Sequence, residues 1–160
     1  MMPPEPQKQH QWLTNLVGKW TFETECIMGP DQPPSKFGGR EVVRSLGGLW
    51  MLAEGETDMP GGGTGQTIMT LGYDPQSQRC VGTFIASMMT HLWLYSGVFD
   101  ADEKVLTLDS EGPNFTGTGM AAYQDIITLV DDDHRILTSQ YRTEDGQWHQ
   151  FMTGHYRRQK

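Results

Sequence analysis

The sequence predicts an all-β protein: a single up-and-down antiparallel β-barrel of about nine or ten strands with a short N-terminal helix. Three observations predict it. Turn residues recur about every ten positions, and the apolar residues between them alternate or run in short blocks, as strands do. Helical periodicity appears once, near the N-terminus. Strands of roughly eight to ten residues joined by short hairpins pair with their sequence neighbours, and a meander of that size removes its free edges by closing.

In chain order, residues 1–6 are expected to be a disordered segment and residues 7–160 the barrel domain. Between Gln7 and Val17, the residues Trp12, Leu13, Leu16 and Val17 share one side of a helix, and Gly18 follows as its C′ residue. The first strand, Lys19 to Ile27, puts Trp20, Phe22, Thr24 and Cys26 on one face and Thr21, Glu23 and Glu25 on the other. One face is core and one is wet. Turn chemistry then recurs at Gly29-Pro30-Asp31 through Pro34, Gly47-Gly48, Met59 to Gly63, Asp74-Pro75 and Asp100 to Glu103. It returns at Gly112-Pro113-Asn114, Asp131 to Asp133 and Glu144-Asp145-Gly146. Nothing resembles a linker or a second domain.

Charge narrows the partners. The chain has 160 residues with Lys+Arg 12 against Asp+Glu 20, a formal charge of −8. An acidic surface repels phosphates, so nucleic acid and anionic membrane surfaces are not expected as partners. No apolar run reaches the roughly 18 residues of a membrane span. The N-terminus lacks the basic and apolar regions of a secretory signal, so the cytoplasm is the expected compartment. Cys26 and Cys80 read as buried reduced thiols, and the sequon Asn114-Phe115-Thr116 as chance.

Gly18-Lys19-Trp20 opens the first strand and Tyr156-Arg157-Arg158 closes the last. This pairing resembles the lipocalin-like (calycin) barrels, in which the Trp packs at the closed end and an Arg lies against it. The resemblance implies structural roles for Trp20 and for Arg158, or else Arg157, in a cation–π contact worth roughly 0.5–2 kcal/mol. A longer string comprises Thr70-Leu71-Gly72-Tyr73-Asp74-Pro75, Val81-Gly82-Thr83-Phe84-Ile85, Ser87 to Trp93, Leu106-Thr107-Leu108, Glu111-Gly112-Pro113 and Gln150-Phe151-Met152. It is similar to the uncharacterised bacterial domain-of-unknown-function family numbered fifteen-seventy-nine, from His10 onward. That resemblance implies a lipocalin-like barrel and no established activity. Where the family pattern carries Trp and then an acidic residue, this chain has Phe84 and Ala86.

Barrels of this size hold one small ligand. His91, Trp93 and Tyr95 alternate with Leu92, Leu94 and Ser96, and periodicity leaves both faces open as the inner one. Facing inward they supply aromatic walls with polar tips; facing outward they make an oligomer interface. Met51, Met69, Met88, Met89, Met120 and Met152 suit either core filling or an adaptable apolar pocket. Tyr73, Tyr123, Tyr141 and Tyr156 supply hydroxyls to a ligand or to buried carbonyls.

The last strand splits into Trp148, Gln150, Met152, Gly154, Tyr156 and Arg158 against His149, Phe151, Thr153, His155 and Arg157. If the second set faces inward, His155 or His149 becomes a candidate axial ligand for haem, as in nitrobindin-like barrels. Alignment of the terminal Tyr-basic-basic string puts that family's haem histidine near Phe151 or Thr153, which cannot bind iron. No zinc or calcium spacing is present: the histidines are scattered, and Asp131 to Asp133 beside His134 read as a solvated turn. Gly61 to Gly65 reads as a hairpin loop at the barrel mouth, since no helix follows to hold a phosphate. There is no nucleophile elbow. Asp125 shares a face with Tyr123, Ile127 and Leu129, and a carboxylate buried there would need Arg44, Arg142 or a tyrosine hydroxyl as partner.

The leading expectation is a protein that binds a small, mainly apolar molecule in its lumen without catalysis, cofactor or metal. The expected lining is Phe84, Met88, His91, Trp93, Tyr95, Tyr123, Met152 and Tyr156. Three alternatives stand beside it: a barrel enzyme with Asp125 or His91 as general base, a haem protein on His155, and a homodimer through the His91/Trp93/Tyr95 face.

Overall fold

The computed structural model describes residues 2–27 and 31–160. A helix, α1 (Lys8–Thr14), precedes ten strands: β1 (Gly18–Cys26), β2 (Ser35–Leu46), β3 (Trp50–Asp58), β4 (Thr64–Asp74) and β5 (Arg79–Ala86) come first. They are followed by β6 (Trp93–Phe99), β7 (Val105–Pro113), β8 (Met120–Asp131), β9 (His134–Arg142) and β10 (Trp148–Arg158). Each strand pairs antiparallel with its sequence neighbour, and β1 lies between β2 and β10, closing the barrel. The expected turn at Gly29-Pro30 lies outside the described residues. Among the described residues, no helix is long and apolar enough to cross a membrane.

The strand period of two sorts the side chains. In β1, Trp20, Phe22, Thr24 and Cys26 are buried while Thr21, Glu23 and Glu25 are exposed. In β3, Met51, Ala53, Gly55 and Thr57 are buried in the same alternation. Closure gives all ten inner faces one shared interior.

One end of that interior is packed. Leu13, Leu16, Leu71, Leu106 and Leu108 are each at most 2% exposed and fill it beneath α1. His10 Nδ1 accepts from the Gln7 N–H at 2.9 Å, which leaves the hydrogen on Nε2 to donate to the Tyr73 carbonyl at 3.0 Å. Trp12 Nε1 donates to the Glu103 carbonyl at 2.6 Å, and Trp20 Nε1 to the Leu16 carbonyl at 2.9 Å. These bonds run from helix to barrel and satisfy groups that burial would otherwise strand.

The helix ends at Thr14 with Asn15 as its C-cap, so Gly18 opens β1 instead of capping the helix. Gly18 has φ +145°, and a Cβ there would sit 2.4 Å from Arg158 Nη1. That clearance lets Arg158 donate to the Val17 carbonyl at 2.6 Å and the Asn15 carbonyl at 2.8 Å, tying the last strand to the first.

Two features depart from the expected pattern. Residues 87–92 form a connection between β5 and β6, so His91 and Leu92 precede the strand instead of belonging to it. This segment is anchored by Ser87, whose N–H donates to the Gln66 carbonyl at 2.8 Å and whose Oγ accepts from the Gln66 N–H at 2.9 Å. In β10 the register shifts between Gln150 and Met152, so Phe151 is the extra residue of a bulge.

Candidate ligand-binding site

The half of the barrel away from α1 encloses a cavity of about 810 Å³, within the range of small-molecule sites. Its mouth is framed by Met59 and Pro60 after β3, by residues 88–91 between β5 and β6, and by Phe115 after β7. The expected Gly61 to Gly65 loop is shorter: Gly61 to Gly63 follow Met59 and Pro60, with Gly62 and Gly63 at positive φ, and Thr64 and Gly65 already belong to β4.

The structure brings Phe84, Met88, His91, Trp93, Tyr95, Tyr123, Met152 and Tyr156 to this one cavity. Parity explains most of them. Trp93 and Tyr95 share the inner face of β6, Tyr123 and Asp125 that of β8, and Met152 and Tyr156 that of β10. The aromatic row of β6 therefore looks into the lumen. His91 reaches the cavity from the connection: its Nε2 lies 2.9 Å from the Glu111 carbonyl and its ring meets Trp93 edge-on at 4.7 Å. Trp93 rests against β7 because position 112 is glycine; a Cβ there would lie 2.1 Å from the indole.

The bulge corrects the two-face reading of β10. Phe151 and Met152 are adjacent yet both border the cavity, while Trp148, His149 and Gln150 are exposed. Phe151 joins Phe115 and Tyr141 in an aromatic cluster with centroids 5.1 and 4.8 Å from Phe115. His155 points outward, with its Nδ1 3.0 Å from His134 Nε2, and His149 lies near Thr143. Neither histidine faces the lumen, so His155 and His149 do not fit the axial-ligand role that the haem alternative gives them.

At the floor, Trp20 lies between two guanidiniums, Arg158 at 4.4 Å and Arg135 at 4.7 Å from its ring centroid. Arg158, not Arg157, makes the contact expected at the closed end. Arg135 also sits 4.2 Å from the Tyr156 ring and forms an ion pair with Glu41, the two side chains 6% and 12% exposed. Among the described residues, Arg135 Nε has no hydrogen-bond partner. Sequence reasoning missed this pair. The available signal was parity, because Arg135 shares its face of β9 with Leu137 and Ser139, both of which border the lumen.

Higher on the wall, Asp125 lies deep in the barrel, and the surface it keeps faces the lumen. Tyr95 donates its hydroxyl to Asp125 Oδ2, and Ser139 donates to Oδ1 at 2.6 Å. Of the three partners expected for Asp125, the tyrosine is the one found. Arg44 is on the outside, 3.2 Å from Glu54, and Arg142 packs outside on Trp148 at 5.8 Å. Burial raises the Asp125 carboxyl above its ordinary value, while the Ser139 and Tyr95 bonds pull it down. Tyr95 is pushed well above the usual phenol range by burial first and the Asp125 charge second. Tyr123 donates to the Pro113 carbonyl and is raised by burial. Cys80 is held at about 12 by burial, which keeps it an inert thiol at neutral pH.

A closed ten-strand meander, plugged by a helix and a Trp–Arg contact at one end and hollow at the other, defines a lipocalin-like barrel. The chain belongs to the protein of unknown function family DUF1579, whose model matches residues 5–158. Among solved structures, Rv2717c from M. tuberculosis superposes with TM-score 0.71 at 14% identity, covering 98% of this chain and 100% of that one. The S-type phycobiliprotein lyase CPES from Guillardia theta superposes with TM-score 0.57 at 14% identity, over 98% and 99% of the two chains. The barrel EF1p2_mFAP2b bound to DFHBI gives TM-score 0.51 at 13% identity, over 94% and 98%. At these identities the likeness is one of fold. No curated protein matches the sequence.

Proposed function

We propose that this protein binds one small, mainly apolar molecule in the barrel lumen and performs no chemistry on it. The observation that carries the reading is the cavity of about 810 Å³, walled by aromatic, methionine and aliphatic side chains and open at the end opposite α1. A lumen that size cannot be filled by rotamer adjustment of its own walls, and apolar surface facing it gains by meeting a ligand instead of water. Two barrels of similar shape support the reading: one is bound to DFHBI and the other is a phycobiliprotein lyase. The test is uptake of Nile red, a neutral apolar dye, together with native mass spectrometry of gently purified protein. Saturable uptake with a blue-shifted emission is expected; a dye that stays in water sinks the reading.

A second reading rests on the Asp125, Tyr95 and Ser139 cluster. A lumen-facing carboxyl raised by burial suits proton exchange with a bound substrate, as general bases require. In that reading Asp125→Asn abolishes turnover of whatever substrate is found, and an unchanged rate removes it.

A further inference from the structure

Three charged groups border the lumen, and two of them cancel. Glu41 and Arg135 pair with each other at the floor, and Arg135 spends its remaining faces on the Trp20 and Tyr156 rings. Asp125 is different. Its two oxygens accept from two neutral hydroxyls, those of Tyr95 and Ser139, and among the described residues none of its bonds comes from a cation. An ionised carboxyl accepts from both hydroxyls at once, one on each oxygen. A carboxylate in a mainly apolar cavity is costly without a counter-charge, and each oxygen retains a lone pair for one. The wall around it is aromatic: Tyr95 beside it, with Trp93 and Tyr123 towards the mouth. Ring faces of that kind attract a cation and repel an anion.

We infer that the lumen ligand carries a protonated amine on an apolar body, with the ammonium seated on Asp125 and the body against the aromatic wall. This rests on the lumen-binding reading and names the chemical class of its ligand. A fatty acid, with the same apolar body and the opposite charge, is the ligand this lumen rejects.

The experiment uses the full chain near neutral pH, with Nile red as reporter and decylamine, N-acetyldecylamine, decanol and decanoate as competitors of matched chain length. Decylamine is expected to displace the dye at concentrations at least about tenfold below decanol and N-acetyldecylamine, the factor one charge-assisted hydrogen bond supplies. Decanoate is expected to compete worst. In Asp125→Asn, checked for native circular dichroism, the ratio by which decylamine out-competes decanol is expected to fall to about one. The competitor series on the unmodified protein decides the matter even if that variant does not fold. Nile red uptake with decylamine no better than its neutral analogues overturns the amine inference and leaves lumen binding standing. Absence of both dye uptake and a calorimetric signal from decylamine overturns the two together.

Discussion

The floor and the wall of the same lumen treat buried charge in opposite ways. At the floor every charge meets an opposite one or a ring face: Glu41 holds Arg135, and Trp20 is sandwiched between Arg135 and Arg158. On the wall, Asp125 is held by hydroxyls beside open space. A matched pair is self-contained and has nothing left to offer a ligand. An unmatched carboxylate costs stability in the empty protein, and that cost is a binding energy waiting for a cation. On the lumen-binding proposal, the comparison teaches that the floor is structural and the wall is where a ligand would be recognised.

Breaking the floor has the largest expected effect. Arg135→Ala leaves Glu41 buried without its partner, and the loss is about 3–5 kcal/mol in urea unfolding. A loss below about 1 kcal/mol would show that Glu41 finds water or another donor there, and the contrast between floor and wall would collapse. Arg158→Ala comes next. It removes the outer half of the Trp20 sandwich and the two carbonyl bonds to Asn15 and Val17, for a loss of about 1–2 kcal/mol with Nile red uptake unchanged.

The wall gives a smaller effect of distinctive sign. Burial raises the folded-state carboxyl of Asp125 above its unfolded value, so the folded protein holds that proton to higher pH than the unfolded chain does. Stability is therefore lost as pH rises from about 4, the unfolded carboxyl value, through the raised folded value, and the loss is complete above it. Asp125→Asn does not titrate. Its stability relative to the parent should improve across that window, measured as paired urea midpoints at a series of pH values; a difference flat with pH contradicts an unmatched charge. The smallest effect belongs to Arg44→Ala on the outer surface. The Arg44–Glu54 pair is more than half exposed on both sides, and its loss should stay within about 0.5 kcal/mol.

Much of the barrel was legible because the strand period is local. Trp20, Phe22, Thr24 and Cys26 could be placed on one face from their spacing alone, and Asp125 could be placed with Tyr123 and Ile127 for the same reason. The connection after β5 was not legible: residues 87–92 read Ser-Met-Met-Thr-His-Leu, without the glycine, proline or aspartate that marks the other turns. His91 was consequently read as strand, although it reaches the cavity from the loop. The β10 bulge was hidden for a related cause. One extra residue at Phe151 swaps the faces of everything before it, and neither possible parity placed Phe151 and Met152 together.

By itself, then, the sequence determined the all-β class, the meander order and the two faces into which each regular strand divides. These follow from side-chain alternation and turn chemistry, which act over a few residues. Only the tertiary structure decided which charges meet. Glu41 and Arg135 stand 94 positions apart on β2 and β9, and they face each other because closure sets β1 and β10 between their strands and turns all four inner faces into one interior. Closure also left Asp125 looking into the hollow half of the barrel, bonded to Tyr95 and Ser139 and, among the described residues, to no cation. Pairing across a barrel depends on tilt and stagger summed over every strand, and no short stretch of the chain contains that information.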